Sequence, residues 1–402
     1  MRLRPSLTNR GWSLCGAAAA LLVGARVLGV EELAMLAAAA FLVVVVAFVR
    51  VRRHALRISA ERVLHPARAE AGSPARADLT VMNLGTKTTP VLAATDSFDG
   101  GRRVARFLVP PLAPGETADA AYRLPTARRG IYPVGPLTLS VHDAFGVVET
   151  GLTLAGEDRF VVYPKVEDVL PLPGAASREA RMGSMQASRV PVGLDFFGLR
   201  EYEVGDDLRR VHWRSTARTG ELMLRQDEMP WESRSTILLD TRPSTHHGES
   251  FERAVEIAAS LATAMCRGRR QVRFVTTGGL DIRSSGGDRY AQIMEYLAGA
   301  SVETYVRWDH DMEGLRRAGE GPLAAVVANA GRSDLAALGA LRPRLGLVLL
   351  VAIRPSAYGD LDVGPVPTAP GALVVPVSAD SPFRTAWNQA VVTWQRSAAV
   401  RS

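Results

Sequence analysis

The hydropathy pattern changes character twice along the chain. Near the start, two apolar runs follow each other: Trp12 to Val30, interrupted by Arg26, and Leu33 to Val49, which carries no charge. A helix that crosses a bilayer needs about 17–25 apolar residues. Arg26 lies near one end of its run, where a long side chain can snorkel to the interface. Only Glu31 and Glu32 separate the runs. The pattern therefore predicts a transmembrane helical hairpin anchor over residues 1–57, with the two glutamates in its turn. A cleaved leader is disfavoured: no small-residue cleavage site ends the first run, and a second run follows at once.

After the hairpin the period shortens. Runs such as 77–85, 90–98, 103–116, 117–125, 130–146 and 158–164 are β-prone, with Pro-Gly and Gly-Gly punctuation at spacings of about ten residues. Leu137, Leu139 and Val141 alternate with Thr138, Ser140 and His142, as a half-buried strand requires. This predicts an all-β, immunoglobulin-like sandwich over residues 58–165. His65 and His142 have no partner spacing, so the segment reads as a spacer or interaction module.

From residue 234 the period lengthens again. Ser235 to Asp240 is a continuous apolar run that ends in an acid, as in a buried parallel strand. Phe251 to Arg267 places Phe251, Val255, Ala258, Ala259, Ala262 and Met265 at helical spacing. Strands are expected at 271–277, 322–330, 346–353 and 372–377, and helices at 288–300, 333–341 and 382–394. Such alternation predicts an α/β domain over 234–402, built on a doubly wound parallel sheet. Ligands of such sheets bind at the carboxyl ends of the strands.

Composition and charge refine this picture. A length of 402 residues suits two or three domains, and 47% hydrophobic against 22% charged residues excludes a disordered chain. The net charge of +7 invites a nucleic-acid reading. However, residues 1–57 hold eight arginines and two glutamates, so +6 of it flanks the apolar runs. No nucleic-acid partner is expected. Three arginines precede the hairpin, and Arg50, Arg52, Arg53 and Arg57 follow it. The positive-inside rule then places the soluble domains in the cytoplasm, at the cell membrane. Two cysteines exclude a disulfide framework and a cysteine-built zinc site.

The most unusual stretch is 193–231, inside a connecting segment assigned to 166–233. It interleaves Phe196, Phe197, Tyr202, Trp213 and Trp231 with six arginines and eight carboxylates. The excess of acid argues against phosphate binding. A short helix is expected over Asp207–Thr216, capped by Asp206 or Asp207, with a strand through Leu222 and Leu224. These charges form either an internal salt-bridge network or a surface that docks a partner. The mixture favoured is a buried, structural Trp213 with the outer arginines free to bind. An Asp206–His212 dyad lacks a nucleophile.

Arg200, Tyr202, Gly205, Asp206, Arg209, Trp213 and Arg218 stand at the spacings of the pattern R-x-Y-x-x-G-D-x-x-R-x-I-x-W-x-x-S-A-R-x-G-x-L, with Val211 and Thr216 as the departures. This resembles the signature of the domain of unknown function 58 (DUF 58) family. Arg129-Gly-Ile-Tyr-Pro-Val-Gly-Pro and Asp143-Ala-Phe145-Gly146 are similar to that family as well. The resemblance implies a bacterial membrane protein with no catalytic activity, acting as an adaptor or scaffold. It also implies partnership with a MoxR-type AAA+ ATPase and a transglutaminase-like membrane protein.

The first strand of the α/β domain ends in Asp240-Thr241-Arg242-Pro243-Ser244. This resembles the D-x-S-x-S metal motif of von Willebrand factor A-type domains and implies a von Willebrand A-like fold. Asp240 and Ser244 match, and magnesium is the ion such oxygen ligands take. Arg242 replaces the middle serine; it cannot ligate a cation and repels one. The site is therefore expected to be degenerate, with the guanidinium in place of metal and no cofactor. The alternative is a metal-dependent hydrolase or ligand-binding protein. It would need at least a second carboxylate cluster near Asp240, which the sequence does not reveal. His246 and His247 are expected to face solvent.

Overall fold

The computed structural model describes residues 5–53, 57–143, 145–173, 196–201, 211–227, 234–247, 249–267, 271–284, 287–304, 308–318, 321–354, 368–378 and 382–400. They form two compact units, Met1–Tyr163 and Pro164–Ser402.

The first unit opens with β1 (Ser6–Leu7), α1 (Asn9–Leu28) and α2 (Glu31–Arg53). Both helices are long and apolar enough to cross a membrane. Leu22, Val23, Val27, Met35, Leu36, Phe41 and Leu42 are exposed along them. Thr8 caps α1 by accepting from the Gly11 N–H, and Gly29 ends it in the left-handed conformation. The turn is therefore Gly29–Val30. Glu31 and Glu32, expected in that turn, instead form the first turn of α2, where carboxylates complement the positive end of the helix dipole.

Nine strands follow: β2 (Ile58–His65), β3 (Arg68–Glu70), β4 (Ala75–Asn83), β5 (Leu92–Phe98), β6 (Arg103–Val109), β7 (Thr117–Leu124), β8 (Gly130–His142), β9 (Val148–Ala155) and β10 (Asp158–Tyr163). Strands β2, β4 and β7 make one antiparallel sheet. The larger sheet runs β1-β9-β8-β10-β3, with β5 bridging β8 to β6. The sheets pack face to face. Ile58 and Val81 of the small sheet share a core with Leu92, Ala94, Val109, Leu139 and Val141 of the large one. Ala77 and Leu124 do the same with Phe98, Val134 and Phe160. Alternation explains this: β4 and β5 bury every second residue.

The same alternation turns three polar side chains inward. Arg62 of β2 sits in register with Ile58, Asp96 of β5 with Leu92 and Ala94, and Tyr122 of β7 with Leu124. The Arg62 and Asp96 side chains are wholly buried and pair at 2.7 Å. Arg62 also donates to Asp158 at 2.9 Å and to the Gly156 carbonyl at 2.7 Å. Tyr122 donates to the other Asp96 oxygen at 2.7 Å. Burial, followed by the hydrogen bond to Asp96, pushes the tyrosine pKa up, so its hydroxyl remains a donor.

The second unit begins with 164–172, which lies along its helices. Strands β11 (Phe196–Glu201) and β12 (Met223–Asp227) pair antiparallel, with α3 (Trp213–Thr219) between them in sequence. The remaining elements are β13 (Ser235–Leu239), α4 (Ser250–Arg267), β14 (Val272–Thr276), β15 (Asp281–Ser284), α5 (Gly287–Gly299), α6 (Trp308–Ala318), β16 (Leu323–Ala328), α7 (Arg332–Gly339), α8 (Arg342–Leu345), β17 (Val348–Ile353), β18 (Leu373–Val377) and α9 (Phe383–Val400). The sheet order is β15-β14-β13-β16-β17-β18. Every pairing is parallel except that of β15, an antiparallel edge strand that the sequence reading missed. Alternate residues Leu238, Ala325, Val327 and Leu350 pack with Met312, Leu315, Leu335 and Leu341 of the α6–α8 layer. Helix α4 packs on β13, β14, β16 and β17, and α9 on β18. Glu167 pairs with Arg253 of α4 at 2.6 Å, and Trp387 of α9 donates to the Leu170 carbonyl at 2.8 Å.

Removing one partner of a buried ion pair costs about 3–5 kcal/mol, and of an exposed pair about 0–1. Asp96→Ala should therefore lower the denaturant midpoint of the full chain in detergent by an amount in the first range. Asp158→Ala, whose side chain is 51% exposed, should fall in the second. Equal losses would contradict this account.

Candidate functional site

The strand order reverses between β14 and β16, on either side of β13. The carboxyl ends of β13 and β16 therefore border the crevice where open α/β sheets place their sites. Asp240 follows β13 directly, and its side chain is fully buried. Its Oδ1 accepts from the Arg242 backbone N–H at 3.0 Å, from Arg242 Nε at 2.9 Å and from Thr277 Oγ1 at 3.2 Å. Its Oδ2 accepts from Arg242 Nη2 at 2.9 Å and from Thr245 Oγ1 at 3.0 Å. Arg242 Nη2 also donates to Asp334 Oδ2 at 2.8 Å. Asp334 lies in the first turn of α7. The Arg242 guanidinium stacks over the Trp308 ring, 4.1 Å from its centroid.

Burial disfavours the Arg242 charge. Hydrogen bonds to Asp240 and Asp334, and their carboxylate charges, outweigh it and hold the pKa above the ordinary arginine value. One guanidinium thus pairs with two carboxylates, balancing the buried charge of Asp240 and bridging to the partly exposed Asp334. A divalent cation does not fit this set of residues. Magnesium requires oxygen ligands at about 2.0–2.1 Å, and both Asp240 oxygens are engaged by the guanidinium. Among the described residues, no group of three or more His, Cys, Asp or Glu is placed to hold a metal. Ser244 is exposed, and it is the Thr245 hydroxyl that reaches Asp240.

One acidic residue that the sequence does not reveal stands near Asp240: Asp334, which is 92 residues from Arg242 in the chain. Only the β16–α7 connection brings it there, so no local motif announced it. His246, expected at the surface, is buried. Its Nε2 is 2.7 Å from the Asp240 carbonyl and its Nδ1 is 3.3 Å from Ser250 Oγ. The carbonyl accepts only, so the neutral ring donates from Nε2 and accepts at Nδ1. His247 is exposed as expected.

The charged signature is described in part. Arg200 lies in β11, in register with Leu224 of β12. Tyr202, Gly205, Asp206 and Arg209 lie outside the described residues, as does the start of the helix expected from Asp207. Helix α3 begins at Trp213, with His212 as its cap. Trp213 is 68% exposed, not buried as expected. A helix of seven residues against a two-stranded ribbon offers too little apolar surface to cover an indole. Arg218 is exposed in the last turn of α3.

The family model described as "Protein of unknown function DUF58" matches residues 198–294, about a quarter of the chain. The matched range takes in Arg200, Trp213, Asp240, Arg242 and His246, and it supports the resemblance read from the signature. None of the curated proteins matches the chain. Among solved structures, the CARDB domain of the PF1109 protein from Pyrococcus furiosus is 16% identical, over 24% of this chain and 87% of that one, with a TM-score of 0.19. A β-glucosidase from Listeria innocua is 15% identical, over 27% of this chain and 16% of that one, also with a TM-score of 0.19. At such scores these likenesses carry no inference about fold or function.

Two outcomes follow from the site. Arg242→Ser leaves Asp240 buried without its countercharge, which should cost about 3–5 kcal/mol. It also opens an oxygen-lined site, so magnesium should raise the melting temperature of Arg242→Ser and leave the parent unchanged. An equal magnesium response in both proteins refutes the substitution of guanidinium for metal. The second outcome concerns pH. Burial, opposed by the weaker effect of the hydrogen bond to the Asp240 carbonyl, holds the His246 pKa below its ordinary 6.5. The unfolded chain therefore takes up a proton first as pH falls. The stabilisation is full above 6.5 and is lost as pH drops toward the lower folded value. His246→Gln should flatten the decline of melting temperature below pH 6.5; an unchanged slope would assign that decline to other groups.

Proposed function

We propose that this chain is a membrane-anchored adaptor or scaffold. In this reading α1 and α2 span the cell membrane as a hairpin, and both soluble units face the cytoplasm. The flanking arginines support that orientation. Both ends of the hairpin also lead into one β unit, β1 before it and β2 after it. The second unit is read as a von Willebrand A-like domain that presents a docking face.

One observation carries this reading: Arg242 pairs with Asp240 and Asp334 within the fold, at the carboxyl end of β13, where a von Willebrand A-type domain would bind a cation. A carboxylate saturated by an internal guanidinium is unavailable as metal ligand or general base. Among the described residues, Trp213 and Arg218 of α3 are exposed, and exposed aromatic and arginine side chains are the usual anchors of protein interfaces. The resemblance to the DUF 58 family supports a MoxR-type AAA+ ATPase as the partner, with a transglutaminase-like membrane protein in the same assembly. The alternative, a metal-dependent hydrolase or ligand-binding protein, draws on Asp334 beside Asp240, and it requires Arg242 to leave.

The test is capture of the ATPase by the full chain from detergent-solubilised membranes. Trp213→Ala should change stability by no more than about 0.5 kcal/mol, as exposed substitutions do, while abolishing capture. A variant that melts normally and still retains the ATPase removes α3 from the interface.

A further inference from the structure

The turn between β8 and β9 is internally hydrogen-bonded, carries an exposed Phe145 and is fastened to the hairpin. Asp143 organises it. Its carboxylate accepts from the Phe145 N–H at 2.9 Å and from the Val147 and Val148 N–H groups at 2.7 Å each. Phe145 projects from this frame with 66% of its surface exposed.

The fastening is extensive. Strand β1 pairs with β9, Leu7 opposite Val148. Thr8 donates its N–H to the Val147 carbonyl at 3.0 Å and its hydroxyl to the Gly146 carbonyl at 2.7 Å. A side chain at Gly11 would run into the Val147 carbonyl, so α1 approaches the turn backbone to backbone only because residue 11 is glycine. Val147 and Val148 form a buried cluster with Ala47 and Val51 of α2, joined by Leu7, Leu14 and Phe48.

These contacts fix the level of the turn. Helix α1 is free of charge from Gly11 to Ala25 and α2 from Leu33 to Val49. At about 1.5 Å per residue these stretches span roughly 22 and 25 Å, less than the roughly 30 Å of a hydrocarbon core. There is no slack, so Leu14, Ala47 and Phe48 lie at the edge of the hydrocarbon, and the turn packed on them reaches the same level. The neighbouring end of the β unit matches. Leu84, whose N–H bonds the Arg57 carbonyl just beyond α2, is exposed. Val91, before β5, is exposed too. So is Leu108, opposite Ala93, which itself pairs with Ser140 near the end of β8. Trp12, one turn into α1, is 66% exposed, where interfacial tryptophans sit.

We infer that Phe145 is embedded in the interfacial layer of the lipid bilayer. The β8–β9 turn then makes a third membrane contact that, with α1 and α2, seats the β unit against the membrane surface. The inference rests on the reading that α1 and α2 span a bilayer. The occupant of this apolar end is the bilayer itself, because the turn is continuous with the hairpin that enters it.

The test uses the full chain with Cys15 and Cys266 changed to serine, reconstituted into vesicles of phosphatidylethanolamine and phosphatidylglycerol. Phe145→Cys, Phe41→Cys and Ile131→Cys are labelled singly with a nitroxide. Ile131 lies at the far end of β8. Collision of each label with oxygen, which concentrates in lipid, is compared with collision with a water-soluble nickel chelate. Oxygen should dominate at 41 and at 145, with 145 the shallower, and nickel should dominate at 131. Nickel dominance at 145 with oxygen dominance at 41 overturns the inference and leaves the hairpin reading intact. Nickel dominance at 41 overturns both.

Discussion

A charge taken out of water must be neutralised where it sits, because leaving it unpaired costs more than most single contacts supply. Arg242 meets this requirement for Asp240 at the carboxyl end of β13. Its guanidinium spans Asp240 and Asp334 and rests on Trp308, tying the end of β13 to the starts of α6 and α7. Thr245 and Thr277 complete the carboxylate's hydrogen bonds, and Thr277 also accepts the Thr241 N–H at 2.9 Å. The carboxyl end of β13 is therefore held by one cation that belongs to the chain.

The β unit is organised by the same rule. Arg62 and Asp96 occupy core positions on facing sheets and hold each other at 2.7 Å. Gly135 permits this closeness, since any side chain there would meet the Arg62 guanidinium and the Gly156 carbonyl. A pair of this kind adds less stability than apolar residues of the same volume. It does fix how the sheets face each other, since sliding one sheet would strand both charges. The large sheet in turn carries β9, on which β1 and the base of the hairpin are fastened.

These two ion pairs separate packing from chemistry. With both Asp240 oxygens engaged by Arg242, the carboxylate holds together the carboxyl end of β13.

The local elements were legible in the order of residues alone. The apolar runs around residues 12–49 became α1 and α2, the run ending at Asp240 became β13, and the spacing from Phe251 to Arg267 became α4. Each follows from a period that the backbone imposes on neighbouring residues. Arg242 at the position of a motif serine was likewise readable, since motif and departure lie within five residues. What the sequence did not disclose came from pairs far apart in the chain. Asp334 reaches Arg242, Asp96 reaches Arg62 and β1 reaches β9 only after the sheets form. The burial of His246 and the exposure of Trp213 also depended on tertiary packing. A ring is covered or bare according to what lies against it, and the neighbours that decide this are set by the fold rather than by adjacent residues.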